Sequence, residues 1–183
     1  MLSNISQLKF GDLSRRVDAL VNINELISNA EENSLILQKN ADELTAAFNH
    51  VLKEIFDKSL QEIPLRFAKY FLTIIHKVST IKEIMLHISR VKVFEFTEQL
   101  LTRLLIEGLD KVGDQGEGAI IIKNLNSSML RLLENCDHTY IFCVLFDLLS
   151  KYKNAPSMPK LPGLIIKCLL KLSKIIEKII TEL

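Results

Sequence analysis

Any chemistry this chain performs must come from a few groups of residues. Cys136, Asp137, His138 and Cys143 lie close together in the sequence. Thiolate and imidazole are the usual zinc ligands, but a structural zinc takes four of them at regular spacing, and no second Cys-x-x-Cys or His pair is present. The cysteines therefore read as structural. Gly113, Gly116 and Gly118 precede a helical pattern and could turn backbone N–H groups toward a phosphate. Asp114 and Glu117 would repel that phosphate, no strand comes before the turn, and no Lys-Ser/Thr follows it, so a flexible loop is the better reading. His50, His76, His87 and His138 show no recurrent arrangement with Ser or Asp that would activate a nucleophile. Glu31-Glu32 sits in a polar break, where nothing would desolvate a carboxyl into a general acid. The expectation is a protein without catalytic centre, metal, cofactor or small-molecule substrate.

Recognition chemistry is better represented. Lys167, Lys171, Lys174 and Lys178 are spaced four, three and four apart, on one face of a helix whose other side carries Ile165, Leu169, Leu172, Ile176 and Ile179. Such a row can attract an acidic tail or an acidic coiled coil, although its ordinary role is a solvated face. Net charge is +1 with pI near 7.7, so no global field steers the chain onto nucleic acid. The aromatics that interleave with basic residues in single-strand binders are also lacking.

The elements that carry these residues are helices. Apolar side chains recur every three or four positions over 120–134, 137–151 and 162–183, broken by Asn135-Cys136 and by a Pro-containing loop over 154–163. Upstream, Asp12 can cap a helix to about Ser28, a polar break covers 29–33, and Asn40 with Glu43 has capping-box spacing for the next helix. Pro64 suits the first turn of a helix through Val78. A short helix over 80–90 and a longer one over 93–110 follow, with a bend near Val91 if they are continuous. No Val/Thr-rich alternating run supplies a sheet.

The expected fold is all-α: a HEAT- or armadillo-like α-solenoid of about seven to eight helices, stacked in antiparallel pairs at roughly 40 residues per pair. A compact helical bundle is the rival. The chain has 183 residues, enough for one domain that buries roughly 70% of its unfolded surface. It is 48% hydrophobic with mean hydropathy +0.21, which implies faces covered by a partner or a neighbouring domain. Charge at Asp147, Lys151, Lys167, Lys171 and Lys174 interrupts every apolar run well short of the ~20 residues of a membrane span. The first residues lack the basic and apolar regions of a secretory signal, and a reducing cytoplasmic setting is expected.

Leu130-Arg131-Leu132-Leu133-Glu134-Asn135-Cys136-Asp137-His138-Thr139, followed by Leu164-Ile165-Ile166-Lys167-Cys168-Leu169, resembles the paired stretches of the C-terminal TOG-like domain of the ch-TOG/mini spindles family of microtubule polymerases. Arg16-Val17-Asp18-Ala19-Leu20 resembles the opening helix of that domain, and 96–111 its long middle helix. The resemblance implies a single TOG-like domain over 1–183 within a larger multi-TOG protein. It implies tubulin or microtubules, or a TACC-type coiled-coil adaptor, as partner, and a place on the cytoskeleton at spindle poles and centrosomes. Because the apolar side of the last helix runs to Leu183, a further helix or a partner is expected to complete the domain.

Tubulin-binding TOG domains engage tubulin through the loops inside each helix pair, with an exposed Trp in the first loop. This chain has no Trp, and Leu13 falls at that position, which weighs against tight tubulin binding. Pairing 41–60 with 64–78, 93–110 with 116–134 and 138–152 with 162–183 places Lys58, Lys111, Lys153 and Lys160 in the loops of this edge. They could meet an acidic tubulin surface, or simply offset the negative ends of helix macrodipoles. Three functions follow as expectations: an adaptor-binding module of a microtubule-associated protein, a direct αβ-tubulin-binding domain, or a HEAT-type scaffold unrelated to microtubules.

Overall fold

The computed structural model describes residues 1–114 and 116–182. The expectation about the apolar end at Leu183 lies outside the described residues. Among the described residues ten α-helices run in the order α1 (Leu2–Phe10), α2 (Leu13–Ser28), α3 (Ser34–Lys39), α4 (Ala41–Phe56), α5 (Leu65–Ser79), α6 (Lys82–Met85), α7 (Arg90–Arg103), α8 (Glu117–Asn135), α9 (His138–Tyr152) and α10 (Leu161–Thr181). Single 3-10 turns lie at Leu60–Glu62 and Leu109–Lys111. No strand occurs among the described residues.

The fold is an all-α, HEAT-like solenoid of antiparallel pairs, α1/α2, α4/α5, α7/α8 and α9/α10. Helices α1, α4, α7 and α9 stack in one layer, and α2, α5, α8 and α10 stack in the other. One apolar core runs between the layers from Ile5 to Leu172. At its centre Phe48 of α4 meets Phe71 of α5 edge-on, with ring centroids 5.7 Å apart. Burying such side chains removes roughly 25 cal/mol of unfavourable hydration per Å², so the stripes that no single helix can hide become the interlayer seam.

Local signals set most boundaries. Asp12 accepts a hydrogen bond from Arg15 N at 2.9 Å, and Asp137 accepts one from Tyr140 N at 2.9 Å, so both cap the helices they precede. Asn40 does not close the expected capping box: its Nδ2 donates back to Ile36 O at 2.7 Å. The capping box that forms is at Ser59 and Glu62. The expected helix over 93–110 starts at Arg90 and stops at Arg103, and an irregular loop follows in which Gly108 takes φ +78°. The expected helix over 80–90 shortens to four residues, Lys82–Met85. Helices α1 and α3 lie where no helix was expected; each buries only one or two side chains, Ile5 and Leu8 in α1 and Leu37 in α3.

Candidate protein-interaction surfaces

Antiparallel pairing sorts the loops onto two edges. The loops within pairs, over 11–12, 57–64, 104–114 and 153–160, share one edge, where they are cross-tied. Arg103 donates to Asp57 at 2.7 Å, and Lys160 donates to Glu107 at 3.1 Å. The connections between pairs, which carry α3 and α6, lie on the other edge, where those two short helices touch.

All five residues expected on the loop edge fall there. Leu13, 56% exposed, and Lys58 line one depression of about 270 Å³ together with Arg16, Glu54 and Phe67. Arg16 is fixed across it by hydrogen bonds of 2.9 and 2.7 Å to the Glu54 carboxylate and of 3.2 Å to the Lys9 carbonyl. That guanidinium holds the Glu54 carboxyl below its usual value, with burial opposing and His50 and Lys58 assisting. Lys111 is exposed in a 3-10 turn, Lys153 caps α9, and Lys160 is committed to Glu107. Asp57, Glu62, Glu107, Asp110 and Asp114 lie in the same loops, so the edge is a mixed-charge surface rather than a basic one.

The glycine-rich turn serves packing. Gly113 and Gly116 have positive φ, and Gly118 sits buried in the first turn of α8 with its N–H donating to Val112 O at 2.9 Å. A side chain at Gly118 would run into the Leu109 carbonyl. Cys136 and Cys168 are buried free thiols, pushed up to about 12 and about 11 by desolvation, and Cys143 is half-buried. Among the described residues no three His, Cys, Asp or Glu side chains gather around a point where a metal would sit. No helix among them is long and apolar enough to cross a membrane.

A second surface occupies the face of the α9/α10 pair turned away from the rest of the stack. Asp147 and Lys151 bond Arg90 and Glu98 of α7 at 2.7 and 2.6 Å, which fixes the side of α9 that meets its neighbour. Around the helix from that side stand Phe142 and Phe146, 40% and 49% exposed. The same turn of geometry on antiparallel α10 brings out Ile166, Leu170 and Ile180, 46%, 61% and 65% exposed. The lysine row runs along the flank of this face. All four lysines are exposed; Lys178 lies 3.6 Å from Glu182, and Lys167, Lys171 and Lys174 have no acidic partner among the described residues.

Of the apolar residues expected opposite that row, Ile165 and Leu172 are buried, Leu169 and Ile176 are half-buried, and Ile179 is 41% exposed. Sequence reasoning stopped at this one stripe and missed the second. Its signal was present: apolar residues at four-residue spacing, 142 with 146 and 166 with 170, widen the apolar arc beyond what one neighbour can cover.

No protein-family model matches the chain, and no solved structure matches it significantly. Curated proteins do. The chain is 32% identical over 170 residues to Protein MOR1 of Arabidopsis thaliana, covering 85% of this chain and 8% of that protein. It is 30% identical over 160 residues to Protein MOR1 of rice, covering 80% of this chain and 8% of that protein. With Centrosomal protein 224 of Dictyostelium discoideum it shares 24% identity over 180 residues, 95% of this chain and 9% of that protein. The chain spans less than a tenth of the length of these relatives, and over most of its own length it is similar to one segment of each.

Proposed function

We propose that the chain is a non-catalytic protein-binding domain of a microtubule-associated protein of the ch-TOG/mini spindles type. In this reading it works in microtubule organisation at spindle poles and centrosomes, where it engages a TACC-type coiled-coil adaptor. Similarity to Protein MOR1 and to a protein named as centrosomal supports the setting. The observation that carries the binding mode is the α9/α10 face, where Phe142, Phe146, Ile166 and Leu170 form an exposed apolar strip bordered by unpaired lysines. An amphipathic helix lays its apolar side into such a strip, and acidic positions on its flank would meet the lysine row.

The test is size-exclusion chromatography of the chain mixed with a TACC-type coiled coil. Co-elution that is lost in Phe146→Ser/Leu170→Ser supports the reading. No co-elution, or co-elution indifferent to the substitutions, refutes it.

Direct αβ-tubulin binding is the second reading. It is favoured by the placement of Leu13, Lys58, Lys111, Lys153 and Lys160 on a single loop edge. It requires co-sedimentation with tubulin that weakens on reversing Lys111 and Lys153. A chain that captures neither partner is a HEAT-type scaffold unrelated to microtubules.

A further inference from the structure

The outward line of α10 has the rhythm of a coiled-coil seam. Ile166, Leu170, Ser173, Glu177 and Ile180 follow one another at gaps of four, three, four and three residues, the mean spacing of 3.5 at which one helix meets another along its length. All five are exposed. On α9 the exposed residues Thr139, Phe142 and Phe146 repeat the pattern at gaps of three and four. A third helix laid along the pair would find one such line on either side of it.

The two lines are not apolar throughout. Phe142, Phe146, Ile166 and Leu170 lie at matching distances from the loop that joins the antiparallel helices, and they form the apolar part. Thr139, Ser173 and Glu177 lie farther from that loop, where both lines turn polar. Ser173 donates its hydroxyl to Leu169 O at 3.0 Å. Glu177 makes no hydrogen bond or ion pair among the described residues: Lys178 lies beside Glu182, and Lys174 stays unpaired. It is the one acid of α10, and it stands on the seam instead of on the flank with the four lysines. A charge at a seam position is unfavourable against an apolar residue and is satisfied by a cation in one register only.

We infer that Glu177 sets the register of the helix that docks on this face. The partner lays apolar seam residues on Phe142, Phe146, Ile166 and Leu170, and one heptad further along, about 10 Å away, it places a Lys or Arg against Glu177. A slip by one turn would set an apolar side chain against the carboxylate and leave the cation unpaired. This role presupposes that an adaptor helix occupies the α9/α10 face, as proposed above, and it adds the residue by which that helix is chosen and aligned.

The experiment titrates a TACC-type coiled coil into the unmodified chain, Glu177→Lys, Glu177→Leu and Phe146→Ser/Leu170→Ser, and repeats the binding with a photo-crosslinking residue in place of Ser173. Glu177 is exposed, so its substitutions leave the core untouched, and circular dichroism spectra check the helices. Glu177→Lys should weaken binding at least about tenfold. The crosslinker should mark one site on the coiled coil when Glu177 is present, and sites a turn or more apart in Glu177→Leu. Binding that Phe146→Ser/Leu170→Ser abolishes but Glu177→Lys leaves unchanged, or a single unshifted crosslink in Glu177→Leu, overturns the register role and leaves the docking face standing. No binding by the unmodified chain removes the docked helix itself, and the role of Glu177 falls with it.

Discussion

Phe142 and Phe146 stand one helical turn apart on α9, their ring centroids 4.9 Å apart and tilted by 54°, and both face outward from the end of the stack. Two aromatic rings held against each other in solvent offer a rigid apolar contact at low entropic cost, which is the usual make-up of an interface anchor. Exchanging Phe146 and Leu170 for Ser removes no fully buried side chain, so the loss should stay near the ring pair and the helix propensity, about 1–2 kcal/mol. Leu172, fully buried on the same helix as Leu170, should cost about 2–5 kcal/mol as Leu172→Ala. Urea titrations of the two variants check the contrast.

Arg16 ties α2 to α4 through Glu54 and to the end of α1 through Lys9 O, with its side chain only 13% exposed. Arg16→Ala leaves the carboxylate and the carbonyl without their donor, and a loss of about 1–3 kcal/mol is expected. Because the guanidinium is screened from solvent, the loss should persist in high salt, which denaturation with and without added NaCl measures.

Acid should weaken the fold in two steps. His76 is half-buried, and desolvation, with Arg131 adding to it, holds the imidazole below its usual 6.5. The unfolded chain therefore takes up a proton near pH 6.5 that the folded chain refuses. Stability is fully present above that pH and falls below it. Glu54, lowered from 4.5 chiefly by its hydrogen bond with Arg16, adds stability that is lost as pH drops below 4.5. Thermal midpoints measured from pH 8 to pH 4 should decline accordingly, and His76→Gln should flatten the upper step.

Thiol reactivity should separate the cysteines. Cys136 and Cys168 are buried and raised to about 12 and about 11, so neither presents a thiolate at neutral pH, whereas Cys143 is the least enclosed of the three. Maleimide labelling of the folded chain should modify Cys143 alone, and unfolding in urea should release the other two. Mass spectrometry reads the count.

How much of this was legible in the sequence depended on how local each cause is. Asp12 and Asp137 cap the helices they precede, and the 3.6-residue rhythm of α4, α5, α8, α9 and α10 is unambiguous because each buries a broad stripe. Helices α1 and α3 bury two residues and one, too few to set a period, so tertiary packing rather than pattern holds them. Asn40 satisfied a capping motif and then spent its side chain on Ile36 O, a choice between two local hydrogen bonds that spacing does not decide. The pairing of helices put Lys58, Lys111, Lys153 and Lys160 at the loops within pairs, but the ion pair of Lys160 with Glu107 was not visible, since the two are far apart in sequence and meet only across stacked pairs.

The decisive measurement is isothermal titration of a TACC-type coiled coil into the chain and into Phe146→Ser/Leu170→Ser. Saturable binding by the unmodified chain, weakened at least about tenfold in the variant while its helical circular dichroism spectrum is unchanged, is predicted. Equal affinity for both, or no binding by either, would contradict the assignment of the α9/α10 face as the surface through which this domain holds its partner.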